Sequence, residues 1–277
     1  MPYPNLVLIG PPKSGTTSVF NWLSKHSEVC TSRVKETYHF FQRDEEENGI
    51  KKFTQEDFKK YQIYFKKCLN CSKCVIEATP EYLYSESAIG AFQQIKKPIK
   101  FLFIYRDPAE RMFSDYQFHR YKTKRFKGTF EEYIGHNKGN FESKKVKLGE
   151  YQEYLRKWID AFGSEKILKM NFNDLKKNPR DFMKELARKI NIDPVQFEKL
   201  DFHQKNKTVK IKSRALHLAL LKLAENTPKP LINTLSPIYY KLNSGTVPGI
   251  TANERKLKEE LKKYYKAINT NLMNSIS

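Results

Sequence analysis

The stretch "LIGPPKSGTTSVFNWL" (residues 8–23) decides how the chain is read. It joins an apolar run to a segment with a helical apolar stripe. Between them, Gly10 and Gly15 keep the spacing of the phosphate-binding loop G-x-x-x-x-G-K-[ST]. That pattern puts lysine after the second glycine; here the position holds Thr16, and the loop's lysine is Lys13. A strand, a glycine turn and a helix start leave backbone N–H groups at Gly15, Thr16, Thr17 and Ser18 without intrahelical partners. They converge with the helix dipole on an anion. The hydroxyls of Ser14, Thr16, Thr17 and Ser18 add donors. In a metal-bound triphosphate site the lysine after the second glycine reaches the outer phosphates, and the next Ser or Thr holds magnesium. With Thr16 there, such a site is poorly served, and Lys13 instead arches over the bound group from the loop side.

Outward from this loop, apolar runs alternate with helical periodicity. "NLVLIG" (5–10) reads as a buried strand, being continuous, β-branched and ended by glycine. "TTSVFNWLSKH" (16–26) reads as a helix with Val19, Trp22 and Leu23 on its apolar stripe. "CVIEAT" (74–79), "IKFLFIYR" (99–106) and "KILKMNF" (166–172) are three further strands. Helices are expected near 85–96, from Asp107 as cap with Pro108 first, over 150–163 with Gly163 as the stop, and over 178–191. Strands separated by helices argue a parallel sheet covered on both faces. The polar, basic stretch 201–212 reads as a loop, and the last 65 residues read as helices with no convincing strand. The expectation is one α/β domain over residues 1–277, P-loop-like, with a central parallel sheet and a helical C-terminal part.

At 277 residues the chain is long enough for such a core, and 39% apolar residues argue against disorder. The net charge of +20, from 51 Lys and Arg against 31 Asp and Glu, attracts anions: nucleotides, acidic glycans, nucleic acid or membrane surfaces. A bland alternative is a lysine-decorated solvent face. No window approaches a membrane span and no signal peptide is apparent, so a cytoplasmic protein is expected, or the soluble catalytic part of a trimmed membrane-anchored one. Cys68, Cys71 and Cys74 could ligate zinc or an iron–sulfur cluster, but no fourth ligand is evident. Disulfides between such near neighbours are sterically poor. The favoured reading is a surface loop of reduced thiols in a reducing compartment.

The loop "GPPKSGTTSVFNWL" resembles the 5′-phosphosulfate loop of sulfotransferases that use 3′-phosphoadenosine 5′-phosphosulfate (PAPS), whose pattern is close to K-[ST]-G-T-[ST]. "FIYRDPAERMFSDY" (103–116) resembles that family's 3′-phosphate motif, with Arg106 at a strand end and Ser114 eight residues later. "VKETYHFF" (34–41) resembles the K-E-x-x-F-F segment of the heparan-sulfate and bacterial-type branch. "VIEATPEYL", "FNDLKKNP" and the C-terminal "ERKLKEELKKYYKAINTNL" are weaker echoes, so the resemblance covers nearly the whole chain.

The resemblance implies in-line transfer of a sulfuryl group from PAPS, leaving PAP, to a hydroxyl or amine of a sugar or small natural-product acceptor, with no metal. Lys13, Ser14, Gly15, Thr16, Thr17 and Ser18 would hold the 5′-phosphosulfate, and Lys13 would neutralise charge on the transferred group. Arg106 and Ser114 would hold the 3′-phosphate, and the segment 205–214, through Lys210 or Lys212, would reach phosphate. Glu36 is the expected general base, with His39 as its rival. Two departures stand out: Ala78 replaces a lysine that touches acidic sugars in glycosaminoglycan enzymes, and Asn173 replaces the usual glutamate. Two other functions stay open on the residues alone. A small-molecule kinase on the same loop would need magnesium and ATP. A non-catalytic polyanion-binding module would show steep salt dependence without turnover.

Overall fold

The computed structural model describes residues 2–42, 45–68, 72–135, 141–202, 209–225 and 238–274. They group into two compact units. The first comprises 1–107, 150–205 and 266–277; the second comprises 108–149 and 206–265.

The first unit is built on five parallel strands in the order β2-β3-β1-β4-β5: β1 Leu6–Gly10, β2 Val29–Thr31, β3 Cys74–Ala78, β4 Lys100–Tyr105 and β5 Ile167–Asn171. β1 sits in the centre, with Leu6 opposite both Ile76 and Lys100. Successive side chains of these strands go to opposite faces, and both faces are apolar. Val7, Ile9, Phe101 and Phe103 join a core with Phe92 and Trp158. Leu6, Leu8, Leu102 and Ile104 join another with Val19, Leu23, Phe182 and Leu186. The helices Glu86–Gln93 and Tyr151–Phe162 supply Phe92 and Trp158; α1 (Thr16–Leu23) and the helix Pro179–Lys189 cover the other face. Trp158 is fully buried and its indole N–H donates to the Leu83 carbonyl at 3.1 Å, so its polar atom has a partner where water is excluded.

The expected α/β architecture with a central parallel sheet is therefore present, and its four expected strands lie within two residues of their expected ends. β2 escaped the reading. Three residues of an edge strand carry too little pattern to register, and Val29–Thr31 earn strand geometry by pairing with Cys74–Ile76. The "FNDLKKNP" turn begins with a short helix, Phe172–Lys177, opened by Asn171 accepting from the Asn173 amide.

The cysteines require a correction. Cys30 and Cys68 form a disulfide across 38 residues of sequence, and Cys74 is buried in β3. The expectation of reduced thiols weighed only near neighbours, whereas the partner of Cys68 stands on the edge strand that went unseen. Cys68 is thereby removed from any metal set; Cys71 lies outside the described residues.

The second unit is organised by the helices Pro108–Gln117, Phe130–Ile134 and Arg214–Glu225 and by the helix Ala252–Ile268 as far as Tyr265. Its core gathers Met112, Phe113, Tyr116, Phe130, Tyr133, Leu257, Leu261 and Tyr265. Lys210–Ile211 pairs antiparallel with Ser244–Gly245, so a short two-stranded ladder stands where a loop and a strand-free C-terminal part were expected. The pairing is two residues long and leaves no periodic trace in sequence. Of the stretch "PLINTLSPIYYKL" (230–242), among the C-terminal segments expected to be helical, residues 230–237 lie outside the described residues, as do residues 205–208 of the basic segment.

Candidate active site

In a parallel sheet the loops beyond the C-terminal strand ends are where ligands bind. β1 ends at Gly10, whose φ of +128° suits glycine alone. A Cβ there would stand 2.2 Å from the Pro80 carbonyl oxygen, so the missing side chain lets the loop cross the end of β3. Gly10–Pro11 is a cis peptide bond. Gly15 is the N-cap of α1 at φ +80°, and no side chain caps the helix start, which leaves the first-turn amides of α1 without a capping side chain. A Cβ on Gly15 would meet the Leu175 side chain at 2.4 Å.

Within this loop Ser14 is fully buried, and its hydroxyl has no hydrogen-bond partner. A buried hydroxyl without a partner costs stability unless something else uses it. Thr16 is buried beside it. Lys13 is held at φ +69°, a left-handed conformation that costs a non-glycine residue about 1–3 kcal/mol. Arg106, at the end of β4, donates from its guanidinium to the Lys13 carbonyl and lies over the Phe172 ring at 4.6 Å. Two of the expected site residues are thus in direct contact. The aromatic support from Phe172 was not foreseen, although an aromatic residue at the very end of a strand was there to be read.

Glu36 lies beyond the end of β3, its amide donating to the Ala78 carbonyl at 2.8 Å. Its carboxylate is paired with Lys35 and receives the Tyr38 hydroxyl at 3.3 Å. Glu36 and Tyr38 also sit at positive φ, +63° and +51°. Among the described residues five non-glycine positions have this backbone, and three of them are Lys13, Glu36 and Tyr38. Such conformations persist only where the surroundings over-determine them.

What holds the Glu36 turn is a buried carboxyl that sequence reasoning passed over. Glu77 is fully buried on β3. It accepts from Thr37 at 2.5 Å, from Thr79 at 2.9 Å and from the Tyr61 hydroxyl. Burial pushes its carboxyl above the ordinary range, against the pull of these hydrogen bonds. An acid inside the otherwise apolar run "CVIEA" was the available signal. His39 makes a different connection: its Nε2 donates to the Asp57 carbonyl at 2.7 Å, and its ring packs against Phe40, Tyr61 and Tyr64. Burial depresses its basicity. Ala78, where the resemblance would place a lysine, is fully buried.

Thr17 and Ser18 stand in the first turn of α1, half-buried. Ser114 and Lys212 belong to the second unit. Ser114 is half-buried on the helix Pro108–Gln117, and the Lys212 ammonium donates to the Leu242 carbonyl at 3.3 Å.

Residues 3–214 match the sulfotransferase domain family. The chain belongs to the sulfotransferases. Membership fits the loop, in which Thr16 stands where a triphosphate site needs lysine, and it sets the kinase reading aside. The chain is 32% identical over 130 residues to the membrane-associated sulfotransferase kil1 of Dictyostelium discoideum, covering 47% of this chain and 26% of that protein. It is 24% identical over 217 residues to the bifunctional heparan sulfate N-deacetylase/N-sulfotransferase 1 of Caenorhabditis briggsae, covering 70% and 23%. The sulfotransferase thus spans about a quarter of the length of these curated relatives. Its fold is that of a sulfotransferase from Alicyclobacillus acidocaldarius, with a TM-score of 0.58 at 18% identity over 84% of this chain and 97% of that one. Among the described residues no helix is long and apolar enough to cross a membrane, and no group of three or more His, Cys, Asp or Glu is placed to hold a metal ion.

Proposed function

We propose that the protein transfers a sulfuryl group from PAPS to a hydroxyl or amine of an acceptor, with Glu36 as general base. The observation that carries this reading is the buried Ser14 hydroxyl, a donor with no partner, beside the uncapped start of α1. That pairing suits a 5′-phosphosulfate, which brings acceptor oxygens and negative charge together. PAPS, when bound, supplies the activated sulfuryl group. The chain's residues bind and orient. Ser14, Thr16, Thr17 and Ser18 with the α1 amides would hold the 5′ end, and Arg106 the 3′-phosphate. The Arg106 contact to the Lys13 carbonyl fixes the loop from which the Lys13 ammonium meets developing charge. Glu36, anchored by its amide to β3, takes the acceptor's proton.

A glycan acceptor is supported by the net charge of +20 and by relatives named for heparan sulfate. The buried Ala78 removes one cation from that interaction, so a weakly charged sugar or a small natural product fits the site better than a densely sulfated chain. The Cys30–Cys68 disulfide favours an oxidising compartment over the cytoplasm.

The test is transfer of ³⁵S from labelled PAPS to a panel of neutral sugars, glycosaminoglycans and hydroxylated or amine-bearing small molecules, without added metal. Lys13→Ala and Glu36→Gln should each lower kcat by about two orders of magnitude or more, with the fold intact by circular dichroism. Full activity in either removes the role assigned to it.

A further inference from the structure

Two carboxyl groups and one hydroxyl proton meet at Tyr38. Its phenolic oxygen stands 3.3 Å from Glu36 Oε2 and 3.1 Å from Glu81 Oε1. A phenol has one proton and can donate to one of these oxygens only. With both carboxyls ionised, the second contact would set a lone pair against a negative charge. The other oxygen of Glu81, Oε2, is buried and has no hydrogen-bond partner, a poor place for an anion. Lys35, the cation in the same turn, is paired with Glu36. Burial first, and then the Glu36 charge, push the Glu81 carboxyl above the ordinary range. Its own backbone amide, Tyr38 and Lys35 pull the other way and do not reverse the outcome.

We propose that Glu81 is a neutral carboxylic acid that donates its proton to the Tyr38 oxygen, so that Tyr38 donates in turn to Glu36 and fixes that carboxylate as the proton acceptor. This rests on Glu36 being the general base. No proton leaves the relay during transfer: the acceptor's proton goes to Glu36, while the Glu81 O–H and the Tyr38 O–H stay where they are. Tyr38 and Glu81 are positioning residues. Glu36 and Tyr38, two residues apart, both take left-handed backbone, and from there the Tyr38 hydroxyl reaches Glu36 on one side and Glu81 on the other. When Glu81 ionises as pH rises, it competes for the single Tyr38 proton, and Glu36 loses the contact that holds it.

Two measurements test the relay. The first needs no turnover: difference infrared spectroscopy at neutral pH should show a protonated-carboxyl band that is lost in Glu81→Gln and kept in Glu36→Gln. Any band from Glu77, whose carboxyl burial also pushes up, should be the same in both variants. The second is kcat/KM against pH. Glu81→Gln, permanently neutral, should retain activity and lose the fall on the alkaline side of the profile, whereas Glu81→Ala should not retain it. Tyr38→Phe should lower kcat about tenfold with little change in KM for PAPS. A neutral-pH spectrum unchanged by Glu81→Gln overturns the proposal, and so does an alkaline limb that this substitution leaves in place. If the Glu81 band is present but wild-type protein transfers no sulfuryl group, the neutral acid stands and the assigned function falls.

Discussion

The amide of Glu36 donates to the carbonyl of Ala78, the last residue of β3, at 2.8 Å. This bond ties a residue in a strained loop to the sheet. One residue on, Thr37 is tied to the same strand through Glu77. The proposed base is therefore placed by two contacts to one rigid element, which is how a short loop can hold a side chain accurately.

Because Glu36 sits at φ +63°, its backbone is less stable than glycine's would be. Glu36→Gly should leave the melting temperature unchanged or raise it while abolishing sulfuryl transfer. Glu36→Val, β-branched at the same φ, should lower it. A drop in both variants would mean that the Lys35 ion pair outweighs the backbone term.

The buried Ser14 hydroxyl has no hydrogen-bond partner. Ser14→Ala should therefore be neutral or slightly stabilising in a thermal melt, because it deletes a buried hydroxyl that bonds to nothing. The same substitution should weaken PAP binding by about ten- to a hundredfold, the worth of a hydrogen bond to a charged group. Calorimetric titration of both proteins with PAP decides it.

Gly10 admits no side chain. Gly10→Ala puts a Cβ against a backbone carbonyl at a φ that L residues avoid, so either the loop or the end of β3 must move. We expect poor folding, or a folded protein with no PAP binding. Gly90→Ala, at a glycine with nothing within 4 Å of an added Cβ, is the control and should behave as wild type.

Glu77 gives a pH dependence opposite to ordinary acid unfolding. Its folded pKa is raised above the 4.5 of a free glutamate, so its contribution to stability is fully present below that value and is lost as pH rises through the folded pKa. Glu77→Gln should fold and flatten the part of the stability profile that falls with rising pH. Glu77→Ala should cost about 2–4 kcal/mol in urea unfolding, since Thr37, Thr79 and Tyr61 lose their acceptor.

The Cys30–Cys68 disulfide closes 38 residues of sequence. Cys30→Ser with Cys68→Ser should lower stability by about 2–4 kcal/mol. Mass spectrometry after alkylation without reductant should leave these two cysteines unlabelled; labelling of both at full occupancy would contradict the bridge.

The central strands and the phosphate loop were legible because local chemistry dictates them. "LVLI" and "KFLFIY" are apolar at every position that a doubly covered strand buries. Gly10 and Gly15 sit where a turn needs positive φ, and the hydroxyl run marks a helix start facing an anion. Lys13, displaced from its usual place, pointed to the family. These are properties of a few consecutive residues, and the chain alone determined them.

Tertiary structure decided whatever depends on residues far apart in the chain. β2 is a strand because it pairs with β3, and Cys30 has a partner because that pairing brings Cys68 within reach. His39 is held by Asp57 and by three aromatic rings, none of which its own segment foretells apart from Phe40. Glu77 reads as an oddity in a strand until Tyr61, sixteen residues earlier, donates to it. Tyr38 holds Glu36 two residues away and Glu81 43 residues away. Burial and long-range hydrogen bonds shift the acidities of Glu77 and Glu81 and orient the side chains around Glu36, and both arise only when separate segments pack together.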